Sequence, residues 1–336
     1  MIRAALAGLL LLGLGCGGGP EAPGSTAAGW LDLRVEALPD LWHQVRHQAQ
    51  TDQGPAPPDS ARGAALAAAR AIEAHHGPRG WALLATRLAG SADGAALVAA
   101  MEAMPSTDEG LHADGLAYAR ALAALEADFV AQEWPGRRAA IRARADELQV
   151  RLRPEDPRLL DALRSPFGLG APAAPLPFYL VLDGPEPPAI TLRTRAGPVS
   201  FAAVATLPGT LLDETVLHEC VHALAAGQVS APPAVDLFTR LRAAQEHSAA
   251  NDPAAMRELP HLLIFAHAAE MVRRHVDPAH RDYGELRGAY ARSAAAPEVL
   301  RVWTANLDGL LDEEEVVSGL LAAALPPADG PGYDSR

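Results

Sequence analysis

The sequence predicts an α+β protein that is predominantly helical, with a small antiparallel or mixed sheet ahead of one histidine-bearing helix. Three observations support this prediction. Over most of the chain apolar residues recur three and four positions apart, as they do in amphipathic helices. Three short runs rich in β-branched and aromatic residues, at 177–184, 189–194 and 197–207, indicate strands. The helical pattern then returns and continues to about residue 325.

The N-terminus has the features of an export signal. Residues 1–16 carry one arginine and a short apolar stretch that could not cross a bilayer, followed by small residues. Cys16 closes the segment in GLGC, which resembles the lipobox of bacterial lipoproteins. The resemblance implies a lipid anchor on Cys16 and a location in the cell envelope, at a bacterial membrane. Ordinary cleavage nearby, giving a secreted protein, is the alternative.

Residues 17–36 are expected to form a flexible tether, and residues 37–165 a helical N-terminal region. The tether begins with a stretch rich in Gly, Pro and Ser. The apolar spacing of the helical region predicts helices at 37–49, 60–76, 108–134 and 136–152. Two histidine pairs in this region, His43 with His47 and His75 with His76, are interpreted as surface residues.

A second domain is predicted over 166–325, before a disordered tail at 326–336. After the three strands, a helix is expected within 208–227. Thr210 and Asp213 form a weak capping box at its start, and Gly227 is a natural glycine for its end. Further helices are predicted at 234–247 and 258–276, with two more within 298–325.

Charge and cysteine content exclude some classes of function. The net charge of −13, with no basic stripe, argues against a nucleic-acid partner. Cys220 is the only cysteine besides Cys16, so a chain lipidated at Cys16 forms no internal disulfide. Cys220 itself is interpreted as a small buried apolar residue.

The helix within 208–227 contains the sequence HECVH. His218 and His222 are four residues apart, so they lie on one face of the helix and can bind a single Zn²⁺ ion. Glu219 is rotated by about 100° from His218. It is therefore placed to act as a general base on a metal-bound water rather than as a ligand. The alternative is a helix with two partly exposed histidines and a surface glutamate.

A catalytic zinc ion needs a third protein ligand, and the helix at 258–276 offers candidates. Glu270 is favoured because its neighbours are apolar and an unpaired buried carboxylate is costly. His267 is the alternative ligand, and Glu246 a weaker one in a polar segment. If Glu270 is not a ligand, an ion pair with Arg273 or Arg274 explains it. The same helix also carries His261 and His275.

The segments HECVH and FAHAAEMVRR resemble the gluzincin branch of HExxH zinc metallopeptidases, whose third ligand is a glutamate. The region 175–325 is also similar to uncharacterised bacterial exported proteins that share the HExxH core. The resemblance implies a zincin-like domain in which the strand at 197–207 lines the cleft and lies antiparallel to a bound peptide. It further implies a tyrosine or histidine that stabilises the oxyanion, here Tyr283 or His275.

These observations predict a zinc metallopeptidase that acts on a peptide or protein substrate. His218, His222 and Glu270 would hold the metal, with Glu219 and Tyr283 as catalytic residues. The competing hypothesis is a non-catalytic envelope lipoprotein that keeps the zincin scaffold as a metal-binding or interaction module. The presence of Glu219 favours catalysis, because a purely structural site needs no base.

Overall fold

A computed structural model describes residues 29–51, 57, 59–105, 108–227, 236–246, 253–288 and 290–324. These residues are mostly helical and include a mixed four-stranded sheet, which confirms the predicted α+β class. The predicted signal peptide with Cys16, residues 17–28 of the tether and the tail at 326–336 lie outside the described residues. None of the described helices combines the length and apolar character needed to cross a bilayer.

The sheet contains the three predicted strands and one that was not predicted. The predicted runs form β2 (Leu176–Val181), β3 (Ala189–Thr194) and β4 (Gly197–Ala203), and β1 (Leu31–Arg34) adds a fourth strand. In the order β1-β2-β4-β3, β1 and β4 both run parallel to β2, while β3 is antiparallel to β4. The prediction that residues up to 36 belong to the tether is therefore wrong for β1. Leu31 pairs with Leu176, far along the chain, and no local pattern reveals such a pairing.

The helices of the N-terminal half largely follow the predicted segments. Side-chain caps fix three of their starts, where Ser60, Asp93 and Asp108 each accept a hydrogen bond from a backbone N–H of the first turn. A helix that was not predicted, α3, lies between two predicted ones. The bounds are α1 (Ala37–Thr51), α2 (Ala61–Leu88), α3 (Gly94–Glu102), α4 (Glu109–Gln132) and α5 (Trp134–Leu152).

The chain divides into two compact units. The sheet unit comprises Met1–Arg153 with Ala174–Pro208, and the histidine unit comprises Pro154–Ala173 with Gly209–Arg336. This division differs from the predicted boundary at residue 165, because the sheet belongs with the N-terminal helices. Tyr179 and Phe201 of the sheet share one hydrophobic core with Trp42, Trp81 and Tyr118 of α1, α2 and α4. A boundary drawn where helices give way to strands misses this shared core.

A buried ion pair links α1, α5 and the end of β2 within the sheet unit. The carboxylate of Asp40, fully buried in α1, accepts hydrogen bonds from Arg137 Nε at 2.5 Å and Nη2 at 3.0 Å. It also accepts one from the backbone N–H of Leu182 at 2.7 Å. Arg137 donates a further hydrogen bond to Asp183 at 2.9 Å. The arginine is therefore held between two carboxylates.

His43 is buried, contrary to its interpretation as a surface residue. Only 4% of the residue is exposed, and its ring lies 5.2 Å from that of Phe201. Burial, with a smaller contribution from the cationic Arg46, lowers the pKa of His43 to about 3. The polar residues around it in the sequence suggested exposure, but the helix turns this side towards β4.

The histidine unit is helical throughout its described residues, apart from short turns. Its central pair is α7, which carries HECVH, and α9, which packs against it. The α7 and α9 segments were both predicted, whereas α6 was not. The bounds are α6 (Pro157–Arg164), α7 (Leu211–Gly227), α8 (Leu237–Glu246), α9 (Pro253–His275), α10 (Tyr283–Leu286), α11 (Ala296–Leu307) and α12 (Glu313–Ala324).

The start of α7 differs from the predicted capping box. The hydroxyl of Thr210 lies 2.8 Å from Nδ1 of His280. The carbonyl of Thr210 accepts the first helical hydrogen bond, from the N–H of Glu214 at 3.0 Å. Thr210 thus precedes the helix as predicted, but its side chain binds a residue far along the chain. The described part of the helix extends to Gly227.

Candidate metal centre

His218 and His222 present their Nε2 atoms to each other on one face of α7. The two nitrogens are 3.1 Å apart and the ring centroids 4.8 Å apart. This follows from the spacing of four residues, which stacks the two side chains on successive turns. His218 is almost completely buried, with 4% of the residue exposed, and His222 is half-buried.

A third imidazole comes from α9. The ring of His261 lies 5.6 Å from that of His218 and 5.0 Å from that of His222, centroid to centroid. One nitrogen from each of the three rings falls within 4.8 Å of the other two. Phe265, one turn further along α9, lies 4.2 Å from the ring of His218 and covers that side of the cluster. We call His218, His222 and His261 the three-histidine site.

The spacing of the donors suits a small cation. Nitrogens that bind a tetrahedral ion at about 2.0–2.1 Å are separated by about 3.3 Å. The 3.1 Å between the two nitrogens on α7 is close to that separation. The nitrogen of His261 lies within 4.8 Å of both. The three residues are therefore positioned to hold a metal ion.

Burial keeps the three imidazoles neutral. It lowers the pKa of His218 well below its usual value, and the neighbouring His222 and His261 lower it further. Burial and His261 together lower the pKa of His222 to about 3. The pKa of His261 is also lowered by burial. At neutral pH each ring therefore has a lone pair free for coordination, as metal binding requires.

Glu219, the predicted general base, is buried next to His218, with 7% of the residue exposed. It follows His218 directly on α7 and is rotated by about 100° about the helix axis. Neighbouring Cys220 is fully buried, as predicted, and burial raises the pKa of its thiol. The interior position of Glu219 excludes the alternative that this carboxylate lies at the surface.

The structure does not bring the predicted third ligand to this site. The two carboxylate oxygens of Glu270 accept hydrogen bonds from Arg273 at 2.9 Å and from Arg274 at 2.7 Å. Burial raises the pKa of Glu270, but these hydrogen bonds outweigh it and the net shift is downward. His261 takes the place that the sequence analysis assigned to Glu270. The carboxylate of Glu270 is satisfied by arginine instead, as in the alternative stated for this residue.

The alternative ligands are also placed elsewhere. His267 is fully buried, with Nε2 3.0 Å from the carbonyl of Leu163 and its ring against Phe167 and Trp303. It is a core histidine of the histidine unit. His275, the alternative oxyanion donor, is exposed at the end of α9. The side chain of Glu246 lies outside the description.

Tyr283, the predicted oxyanion donor, lies one ring away from the three-histidine site. Its ring stacks on Phe265 at 5.9 Å, and Phe265 in turn contacts His218. Its backbone N–H donates to Glu214 Oε2 at 2.7 Å. His280 Nε2 lies 2.8 Å from the same oxygen. Glu214 is thus tied to the α10 region, and burial raises its pKa despite these partners.

Glu214 and His280 were not predicted from the sequence, and His261 was named there without being favoured as a ligand. Glu214 precedes His218 by four residues, so it shares the helix face of both motif histidines. That spacing was a readable signal. His280 gave none, because it lies in a short connection after α9.

The chain was compared with protein-family models, with curated proteins and with solved structures. It matches none of them.

Proposed function

We propose that this protein is a zinc-dependent metallopeptidase that hydrolyses peptide bonds of a peptide or protein substrate. The observation that carries the proposal is the convergence of three imidazoles, one buried and two half-buried, beside a buried glutamate, within HECVH and α9. Three protein ligands with an open fourth position are typical of catalytic zinc, whereas structural zinc is usually held by four. Among the described residues no fourth His, Cys, Asp or Glu joins the group.

The chemistry of the donors supports zinc among the divalent ions. Neutral imidazole is a good ligand for zinc, whereas calcium and magnesium prefer oxygen. When bound, zinc would polarise the substrate carbonyl and lower the pKa of a water towards neutrality. His218, His222 and His261 would hold the ion. Glu219, adjacent on the helix and shielded from solvent, would accept the proton of the attacking water and pass it to the leaving amine.

The zincin-like assignment is part of the proposal and rests on HECVH in α7, preceded along the chain by β2, β3 and β4. The third ligand is a histidine, which departs from the glutamate of gluzincins. Tyr283 is proposed as a positioning residue that acts through Phe265. The envelope location and the lipid anchor on Cys16 are proposed from the N-terminal sequence.

Replacing Glu219 with glutamine tests this function most directly. The Glu219→Gln variant of the full chain, loaded with Zn²⁺, should keep one equivalent at the three-histidine site and lose about 10²–10⁴-fold in peptide hydrolysis, the usual contribution of a general base. Glu298→Gln is the matched control. Glu298 is an exposed carboxylate on α11 that pairs with Arg301, and its loss should leave hydrolysis unchanged.

Casein and a mixed peptide library serve as substrates, with metal content measured on the same samples. Equal turnover by wild type and Glu219→Gln would show that Glu219 is not the general base. If both proteins hold zinc at this site and neither cleaves any substrate, the metal-binding module replaces the peptidase as the better account.

A further inference from the structure

A second group of metal-binding side chains lies in the sheet unit, at a kink in α2. Gly77 has φ 56° and ψ −153°, outside the helical region, and Pro78 follows it. The positive φ favours glycine, and proline cannot donate the hydrogen bond that would continue the helix. His75 and His76 are the last residues before the interruption.

Both imidazoles approach the same carboxylate oxygen on α4. His75 Nδ1 is 2.9 Å, and His76 Nε2 3.2 Å, from Asp114 Oδ2. Consecutive residues on a helix point about 100° apart, so this convergence is unusual for neighbours. The two rings meet nearly at right angles, with centroids 5.9 Å apart.

The packing of α2 against α4 fixes the position of the His76 side chain. A side chain at Gly80 would clash with the Cβ of His76, and a Cβ at Gly110 would come within 3.4 Å of its ring. Only 14% of the His76 side chain is exposed, whereas 63% of that of His75 is exposed. Asp108 adds a second carboxylate, 4.0 Å from His76 Nδ1.

We propose that His75, His76 and Asp114, here called the kink site, bind a divalent first-row transition-metal ion of the zinc, copper and nickel class. Two imidazoles and one carboxylate are a ligand set that this class prefers. The donor atoms lie within 4.8 Å of one another, and the two shorter separations match neighbouring ligands of one ion. The exposure of His75 leaves the remaining positions to water and makes the ion exchangeable.

Metal at the kink site would also tie α2 to α4. His75 and His76 belong to α2 and Asp114 to α4, so one ion bridges two helices that form the core of the sheet unit. An ion that binds only the folded chain stabilises it by mass action. Hydrogen bonds between the two imidazoles and Asp114, with no metal, are the competing account.

The test separates this site from the three-histidine site. The full chain carrying His218→Ala and His222→Ala is titrated with Ni²⁺ alone by calorimetry, and thermal unfolding is followed with and without the ion. We expect one bound equivalent and a higher melting temperature. Adding His75→Ala should weaken binding more than about 100-fold, since the loss of a mere supporting residue already costs 10–100-fold. Adding His47→Ala, which removes a half-buried histidine of α1, should change neither quantity.

Stoichiometry in the chain with the three-histidine site intact provides a second arm if the double variant does not fold. Wild type should bind two equivalents of Ni²⁺, and His75→Ala and Asp114→Asn one each. The proposal is overturned if the double variant folds but binds no ion. It is equally overturned if His75→Ala retains as many equivalents as wild type. Neither result bears on the peptidase, whose metal is held in the other unit.

Discussion

Replacing His261 with alanine tests which residue completes the metal site. The ring centroid of His261 lies 5.0 and 5.6 Å from those of the two motif histidines, while Glu270 is engaged by two arginines. His261→Ala should therefore weaken zinc binding, and Glu270→Ala should not. The two residues share α9, so the comparison keeps the helix and its packing constant.

The size of the effect follows from the number of ligands. Zinc held by four protein ligands in small domains is bound by about 10–16 kcal/mol, or about 3 kcal/mol per ligand. Loss of one ligand then weakens binding about a hundredfold. No other described His, Cys, Asp or Glu joins the group to replace His261. Glu270→Ala removes partly exposed ion pairs, worth about 0.2–1 kcal/mol in the free energy of unfolding.

The affinity for Zn²⁺ is measured by competition with a chromophoric chelator, starting from metal-free protein with the kink site disabled by His75→Ala. Circular dichroism confirms that each variant is folded. If Glu270→Ala weakens zinc binding as much as His261→Ala, the assignment of the third ligand is refuted. If neither variant weakens it, a cation is not held by α9 at all.

Two further predictions concern the sheet unit. His43 stays neutral in the folded chain, so between pH 6.5 and about 3 the unfolded chain binds more protons than the folded chain. The free energy of unfolding therefore decreases as the pH is lowered through this range. The loss at pH 5 is about 2 kcal/mol. His43→Phe should remove that part of the decrease in urea unfolding, and His47→Ala should keep it; parallel curves for wild type and His43→Phe would contradict the prediction. Asp40→Ala removes a fully buried carboxylate and leaves Arg137, of whose side chain 12% is exposed, without its main partner. It should cost about 3–5 kcal/mol, measured by urea unfolding at pH 7. Asp183→Ala, at the more exposed partner, should cost about 1 kcal/mol or less, and equal losses would show that burial is not what matters.

Local patterns predicted the parts of the fold that depend on local spacing. The strands β2, β3 and β4 were visible as runs of β-branched and aromatic residues bounded by Gly and Pro. The pairing of His218 with His222 required only the period of a helix. By contrast, β1 exists because it pairs with β2, and the two-unit division exists because the sheet packs on α1, α2 and α4. Both depend on contacts between residues far apart in the sequence, which a short window of sequence does not reveal.

The choice of Glu270 over His261 failed for a reason that helix geometry explains. The two residues are nine apart, which is about 900° of rotation, so they lie on opposite faces and about 13.5 Å apart along the axis. Only one of them can face α7 at the height of His222. The prediction weighed the cost of burying a carboxylate, but Arg273 and Arg274 on the next turn meet that cost. Which face of α9 meets α7 is a tertiary fact that the sequence left open.

His267 and His261, both on α9, differ in how their polar atoms are satisfied, and this difference separates a core residue from a ligand. His267 turns Nε2 to a backbone carbonyl and lies between aromatic rings, so its burial needs no ligand. His261 instead faces two other imidazoles, and burial keeps all three rings uncharged at neutral pH. One N–H···N hydrogen bond can join two of these rings. A cation accepts lone pairs from all three at once. Its binding would offset the free-energy cost of desolvating the polar atoms of these rings.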